Sequence, residues 1–213
     1  MSDAARPPKA DRAIRRGSAA SALRQEAADR AGEGCVKALR RSLSCSPTYA
    51  PAILALGTAE YQLRRHAQGR RLLFSLLALP RDTKDIVELI DKAGDFFIQA
   101  SRYSEGLALY RQAAARYPRV GVFRQGIGCC AGHEGLRAEA TRASRAALAL
   151  EPGNQRFVND LGWTLCEAGR LQEACAVLRK AVDMDKKDAL AAENLKICLR
   201  RMTAPGKNGR RKL

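Results

Sequence analysis

The chain has 213 residues, 46% of them apolar, which is enough to bury a sizeable core and excludes wholesale disorder. Alanine and leucine dominate and aromatics make up only 5%, a mix that favours helices because both residues lose little freedom on entering one. The net charge of +16 suits nucleic acid, an anionic membrane surface or an acidic partner.

Much of that charge is terminal. Residues 1–16 hold five basic side chains against two acidic ones, and residues 200–213 hold six against none, so these ends carry 9 of the 16 charges. Residues 1–15 read as a basic flexible tail, polar and proline-containing, with no apolar signal-peptide core. The acids Asp3, Asp11, Glu26 and Asp29 argue against an organelle transit peptide. No apolar run is long enough to span a bilayer. Seven cysteines in no framework spacing suit a reduced, cytoplasmic setting.

A fixed period organises the rest. Gly57, Gly94, Gly128 and Gly162 are separated by 37, 34 and 34 residues. A second small residue follows at Gly69, Gly106, Ala140 and Ala174, and a third at Ala113, Ala147 and Ala181, where Leu76 is the exception. Prolines close units at Pro47, Pro118 and Pro152. Helices joined by short turns approach closely only where a side chain is missing, and proline pushes the residue before it out of the helical region. The period predicts helix pairs beginning near Arg16, Ala50, Val87, Gly121 and Gln155, then a lone helix from Ala189 to Met202 and a basic tail over 203–213. The 37-residue step places three extra residues around Leu79 to Asp85, read as a longer turn.

These units resemble tetratricopeptide repeats. The match is closest over Val158–Leu165, Gly169–Ala174 and Leu178–Ala181. It is similar from Ile127 to Pro152 and from Ala93 to Pro118, and weaker in the units starting near Ala50 and Arg16, where Leu23 and Cys35 depart from the pattern. The resemblance covers about residues 16–202. It implies an all-α, right-handed α-solenoid of antiparallel helix pairs, about five in number, with a C-terminal cap helix.

The glycines from Gly126 to Gly132 superficially suggest a nucleotide loop, but that loop needs a preceding strand, and helix packing at Gly128 is the better reading. Cys129 and His133 share a helical face, with Cys166 on the next repeat. No Cys-x-x-Cys pair or fourth ligand accompanies them, and no orienting group would activate a thiol. No metal, no cofactor and no catalytic residue is assigned, and the chain is read as a non-enzyme.

The resemblance implies that the concave face is lined by set first-helix positions. Carried onto this chain, they place Tyr61, Asp91, Asp95, Gln125, Asn159 and Trp163 in one partner-binding groove. The acids Glu88, Asp91, Asp95, Glu167 and Glu193 outnumber Arg24, Arg156, Arg200 and Arg201 along that lining, whereas the whole chain is basic. Asp91 and Asp95 stand where some relatives use basic side chains to grip an acidic chaperone peptide, so that partner is not expected. The expected function is a scaffold, adaptor or assembly factor holding a protein or peptide of some basic character. The cap helix or a second copy of the chain is the competing occupant. The alternative is a nucleic-acid- or ribosome-associated factor using the basic exterior and tails, although the aromatic-interleaved basic clusters of stacking platforms are missing.

Overall fold

The computed structural model describes residues 32–203. The helix pair expected from Arg16 lies partly outside them, as do both tails. A helix, α1, runs over 32–45. It is followed by α2 (Ala50–Gln62), α3 (His66–Ser75) with a 3-10 turn at Leu76–Ala78, α4 (Ile86–Gln99), α5 (Tyr103–Arg116), α6 (Gly121–His133), α7 (Arg137–Leu150), α8 (Gln155–Glu167), α9 (Leu171–Met184) and α10 (Ala189–Thr203). The fold is all-α, an array of helix pairs with a final lone helix. Starts expected at Ala50, Gly121, Gln155 and Ala189 coincide with the observed ones, and the one expected at Val87 falls at Ile86.

The chain divides into two compact units between Leu79 and Pro80, inside the segment where the period lengthens. In the first unit, Val36, Ile53, Leu56, Leu73 and Leu76 form the core. Glu60 is completely buried there and accepts from Arg40 (2.6 Å) and Arg65 (3.0 Å). Arg65 also pairs with Glu33. Burial would raise the Glu60 carboxyl, but the Arg65 and Arg40 hydrogen bonds outweigh it and hold the group low.

The second unit has two layers. Helices α4, α6, α8 and α10 neighbour one another along the chain, and α5, α7 and α9 alternate with them. Helix α4 shows the pattern behind the burial: Ile86, Leu89, Ile90, Ala93 and Phe97 recur at helical spacing and are all buried. On the other layer, Arg111 pairs with Glu139 (2.6 Å) and Arg145 with Glu173 (2.5 Å), the same link one repeat apart.

Among the described residues, the turns of the pairs α2–α3, α4–α5, α6–α7 and α8–α9 share one geometry. Arg64, Ser101, Gly135 and Gly169 occupy one repeat position, and all have positive φ, between 55° and 78°. The next residue's N–H donates back to the preceding helix, as Arg65 to Glu60 O (2.9 Å) and Arg170 to Leu165 O (2.9 Å). This closes each first helix with a left-handed cap.

The small residues do what the period required. Tyr110 of α5 lies between Gly94 and Gly126, and a Cβ added at either glycine would run into its ring. Gly126 is therefore explained by an aromatic ring, not by a phosphate.

Candidate functional site

Three aspartates, Asp91, Asp95 and Asp160, stand on α4 and α8 of the second unit. The Tyr110 hydroxyl lies 3.1 Å from Asp91 Oδ1 and 3.2 Å from Asp95 Oδ1. One phenolic proton serves both carboxylates. On the next rung Gln125 Nε2 donates to Asp160 Oδ2 (2.7 Å). Lys92–Glu88, Arg111–Glu139, Arg145–Glu173, Arg170–Glu173, Lys196–Glu193 and Arg201–Glu167 are ion pairs of this unit. Among the described residues Asp91, Asp95 and Asp160 are in none. Burial pushes the Asp91 and Asp160 carboxyls up, and the Asp95 charge adds to the effect at Asp91. Arg156 opposes the shift at both.

The structure places the six groove residues differently from one another. Asp91, Asp95, Gln125 and Trp163 are partly exposed, all on first helices of the second unit. Tyr61 belongs to the first unit, where it is 5% exposed and stacks on His66 at 4.5 Å between ring centres. Asn159 is 3% exposed and accepts from Asn194 of the cap helix (3.0 Å). Both were expected to face a partner, and burial turns both inward. The cap helix accounts for Asn159, since α10 covers the face of α8 that α8 would otherwise leave open.

Sequence reasoning missed Asp160, Ser144 and Thr164. They line a cleft of about 350 Å³ bounded by α6, α7 and α8, with Gln125, Gly128, Cys129, Trp163 and Glu167 also on its walls. Its origin is legible in the period. Leu73, Tyr110, Ser144 and Leu178 share one repeat position, each opposite a glycine. A Cβ on Gly57 would meet Leu73 at 2.8 Å and one on Gly162 would meet Leu178 at 2.6 Å. At Gly128 the nearest atom is the Ser144 hydroxyl, 2.6 Å away, with backbone atoms of Ala140 and Ser144 at 3.5 Å. A large side chain is replaced by a small polar one, and the cleft opens beside it.

Its hydrogen bonding is one-sided. Thr164 Oγ1 donates to the Asp160 carbonyl (2.7 Å), so the 3.1 Å contact between the two hydroxyls is a donation from Ser144. Both hydroxyl protons are spent within the protein, and lone pairs remain. At the mouth, Arg201 of α10 sits over the Trp163 ring at 5.4 Å and bonds Glu167 at 2.6 Å.

The thiols here are not activated. Cys129 is raised mainly by burial, then by the Asp160 and Asp95 charges, and Cys130 is pushed up to about 12. A nucleophilic cysteine needs the opposite shift. His133 stacks on Tyr103 at 3.9 Å. Among the described residues no group of three or more His, Cys, Asp or Glu side chains is placed to hold a metal ion, and no helix is long and apolar enough to cross a membrane.

No protein-family model matches the chain. No curated protein matches it either. Solved structures do. A TPR protein called YrrB, described as having an unusual peptide-binding site, aligns at TM-score 0.56 with 18% identity over 80% of this chain and 86% of its own. A thermophilic TPR protein of Thermus thermophilus, TTC0263, aligns at 0.54 with 20% identity over 87% and 96%. The first TPR of Spaghetti (RPAP3), bound to the HSP90 peptide SRMEEVD, aligns at 0.51 with 15% identity over 55% and 92%. The fold is the tetratricopeptide fold. Within that tetratricopeptide array, the Ser144 rung is the place where a leucine or tyrosine gives way to a serine beside a polar cleft.

Proposed function

We propose that the chain is a protein-interaction scaffold, an adaptor or assembly factor, whose second unit holds an extended or helical peptide of basic character against α4, α6 and α8. The observation that carries this reading is the group of carboxylates at Asp91, Asp95 and Asp160. They are held without ion pairs among the described residues, in a chain whose net charge is +16. Keeping such acids unneutralised costs stability, and a cationic partner restores the missing charge. Tetratricopeptide structures that hold peptides, such as the one bound to SRMEEVD, support a binding role for this fold. The acidic face here favours the opposite charge in the ligand.

Asp91, Asp95, Gln125 and Trp163 contact the peptide in this reading, joined by Asp160, while Tyr61 and Asn159 act through packing. The test is a titration of dye-labelled hexa-arginine, hexa-glutamate and a short single-stranded oligonucleotide, followed by anisotropy. The basic peptide binds the parent and loses most of its affinity in the Asp91→Lys/Asp95→Lys variant. Binding of the oligonucleotide alone, unchanged in that variant, would move the working surface to the basic exterior.

A further inference from the structure

The cleft at Ser144 has its own chemistry. Its walls offer acceptors: the Asp160 carboxylate, the Gln125 carbonyl oxygen left over after its amide donates to Asp160, and the lone pairs of Ser144 and Thr164. A ligand that suits them carries several donors and no acceptor. Guanidinium meets that description, with five N–H groups in a plane, whereas an ammonium is a compact point charge. The Trp163 ring forms one wall, and Arg201 on the same ring shows that its surroundings accommodate a guanidinium. Arg201 itself stays outside the cleft, held by Glu167. At about 350 Å³ the space is at the small end of ligand sites, which run from roughly 300 to 1,000 Å³, and suits one long side chain. Arg137 and His133 also stand on its rim, and both are exposed.

We propose that this cleft receives the side chain of an arginine from the bound peptide, with its guanidinium directed at Asp160 and the Ser144 and Thr164 hydroxyls. The inference rests on the peptide-binding reading above, which gives the side chain its backbone. It adds a specificity: arginine at one position of the peptide, with lysine a poor substitute.

Pools of short capped peptides, randomised except for one central residue fixed as arginine, citrulline or lysine, test it on the full chain. Anisotropy reports binding, and the fluorescence of the sole tryptophan, Trp163, reports occupancy of the cleft. The arginine pool should bind about tenfold more tightly than the citrulline pool, the size of effect expected of a buried charge pair, and should perturb Trp163. Ser144→Leu, which puts leucine where Leu73 and Leu178 already stand in other repeats, should erase that preference while the protein stays folded. Asp160→Asn should reduce it too. Arginine, lysine and citrulline pools binding equally, with loss in Asp91→Lys/Asp95→Lys, would overturn the arginine site and leave the acidic face standing. An arginine preference that survives in Ser144→Leu would also overturn the site. Binding of no pool would sink the underlying reading as well.

Discussion

Two neighbouring rungs of the second unit are built on the same backbone plan and differ in what fills them. In the last one, Leu178 packs opposite Gly162, and Asn159 and Asn194 form a neutral, buried amide pair. One repeat earlier the same positions are Ser144, Gly128, Gln125 and Asp160. Leucine becomes serine, and an amide becomes a carboxylate. One rung is a packed end, and the other is a hollow with an unneutralised charge. A repeat array makes such contrasts readable, because each position has its own internal controls. Departures from the repeat, more than agreement with it, mark where a protein gives up stability for something else.

Transferring the hollow to the closed rung should have the largest effect. Leu178→Ser removes a fully buried side chain and should cost about 3 kcal/mol or more, as large-to-small core changes do, read from chemical denaturation. Crowding the two rungs comes next. Gly162→Ala should cost roughly 1–3 kcal/mol because its methyl meets Leu178 at 2.6 Å. Gly128→Ala should cost less, since only the Ser144 hydroxyl is in the way. Equal losses would mean that the hollow is already filled. In the opposite direction, Ser144→Leu should be neutral or stabilising by up to about 1–2 kcal/mol, the usual gain from filling a cavity.

The charge on the open rung has a pH signature. Asp160 is raised in the folded state by burial, so its contribution is most favourable below the unfolded value and is lost as pH rises through the folded one. Asp160→Asn should therefore have a higher Tm than the parent at neutral pH, with the gap closing as both are acidified. Glu60 of the first unit has the opposite sign. Its carboxyl is held low by Arg65 and Arg40 against the effect of burial, so its stabilising contribution fades on acidification. The smallest effect concerns the turns. Arg64→Gly and Ser101→Gly each place glycine where Gly135 and Gly169 already take positive φ, and should gain about 0.5–1 kcal/mol after the entropic cost of glycine.

The helices were legible because small residues at fixed spacing report a close approach that any such pair must make. Gly57, Gly94, Gly128 and Gly162 all fall inside first helices and face the second. The face open to a partner was less legible. Asn159 and Asp160 are adjacent in sequence, and which of them α10 covers is decided by the cap helix, not by α8 alone. The cleft was written in the series Leu73, Tyr110, Ser144, Leu178, but a buried serine is compatible with a helix and leaves the period of small residues intact.

Each helix of the second unit packs mainly against helices one or two places along the chain. No long loop has to close before a contact can reward it, which is the condition for rapid folding. Growth can start at any rung that holds together locally. Leu165, Leu178, Cys175 and Cys198 make the α8–α9–α10 end the better seed, and the Ser144 rung, whose facing position holds a serine in place of a leucine, the poorer one. Kinetics should show it: Leu178→Ala slows folding, while Ser144→Ala changes mainly the rate of unfolding.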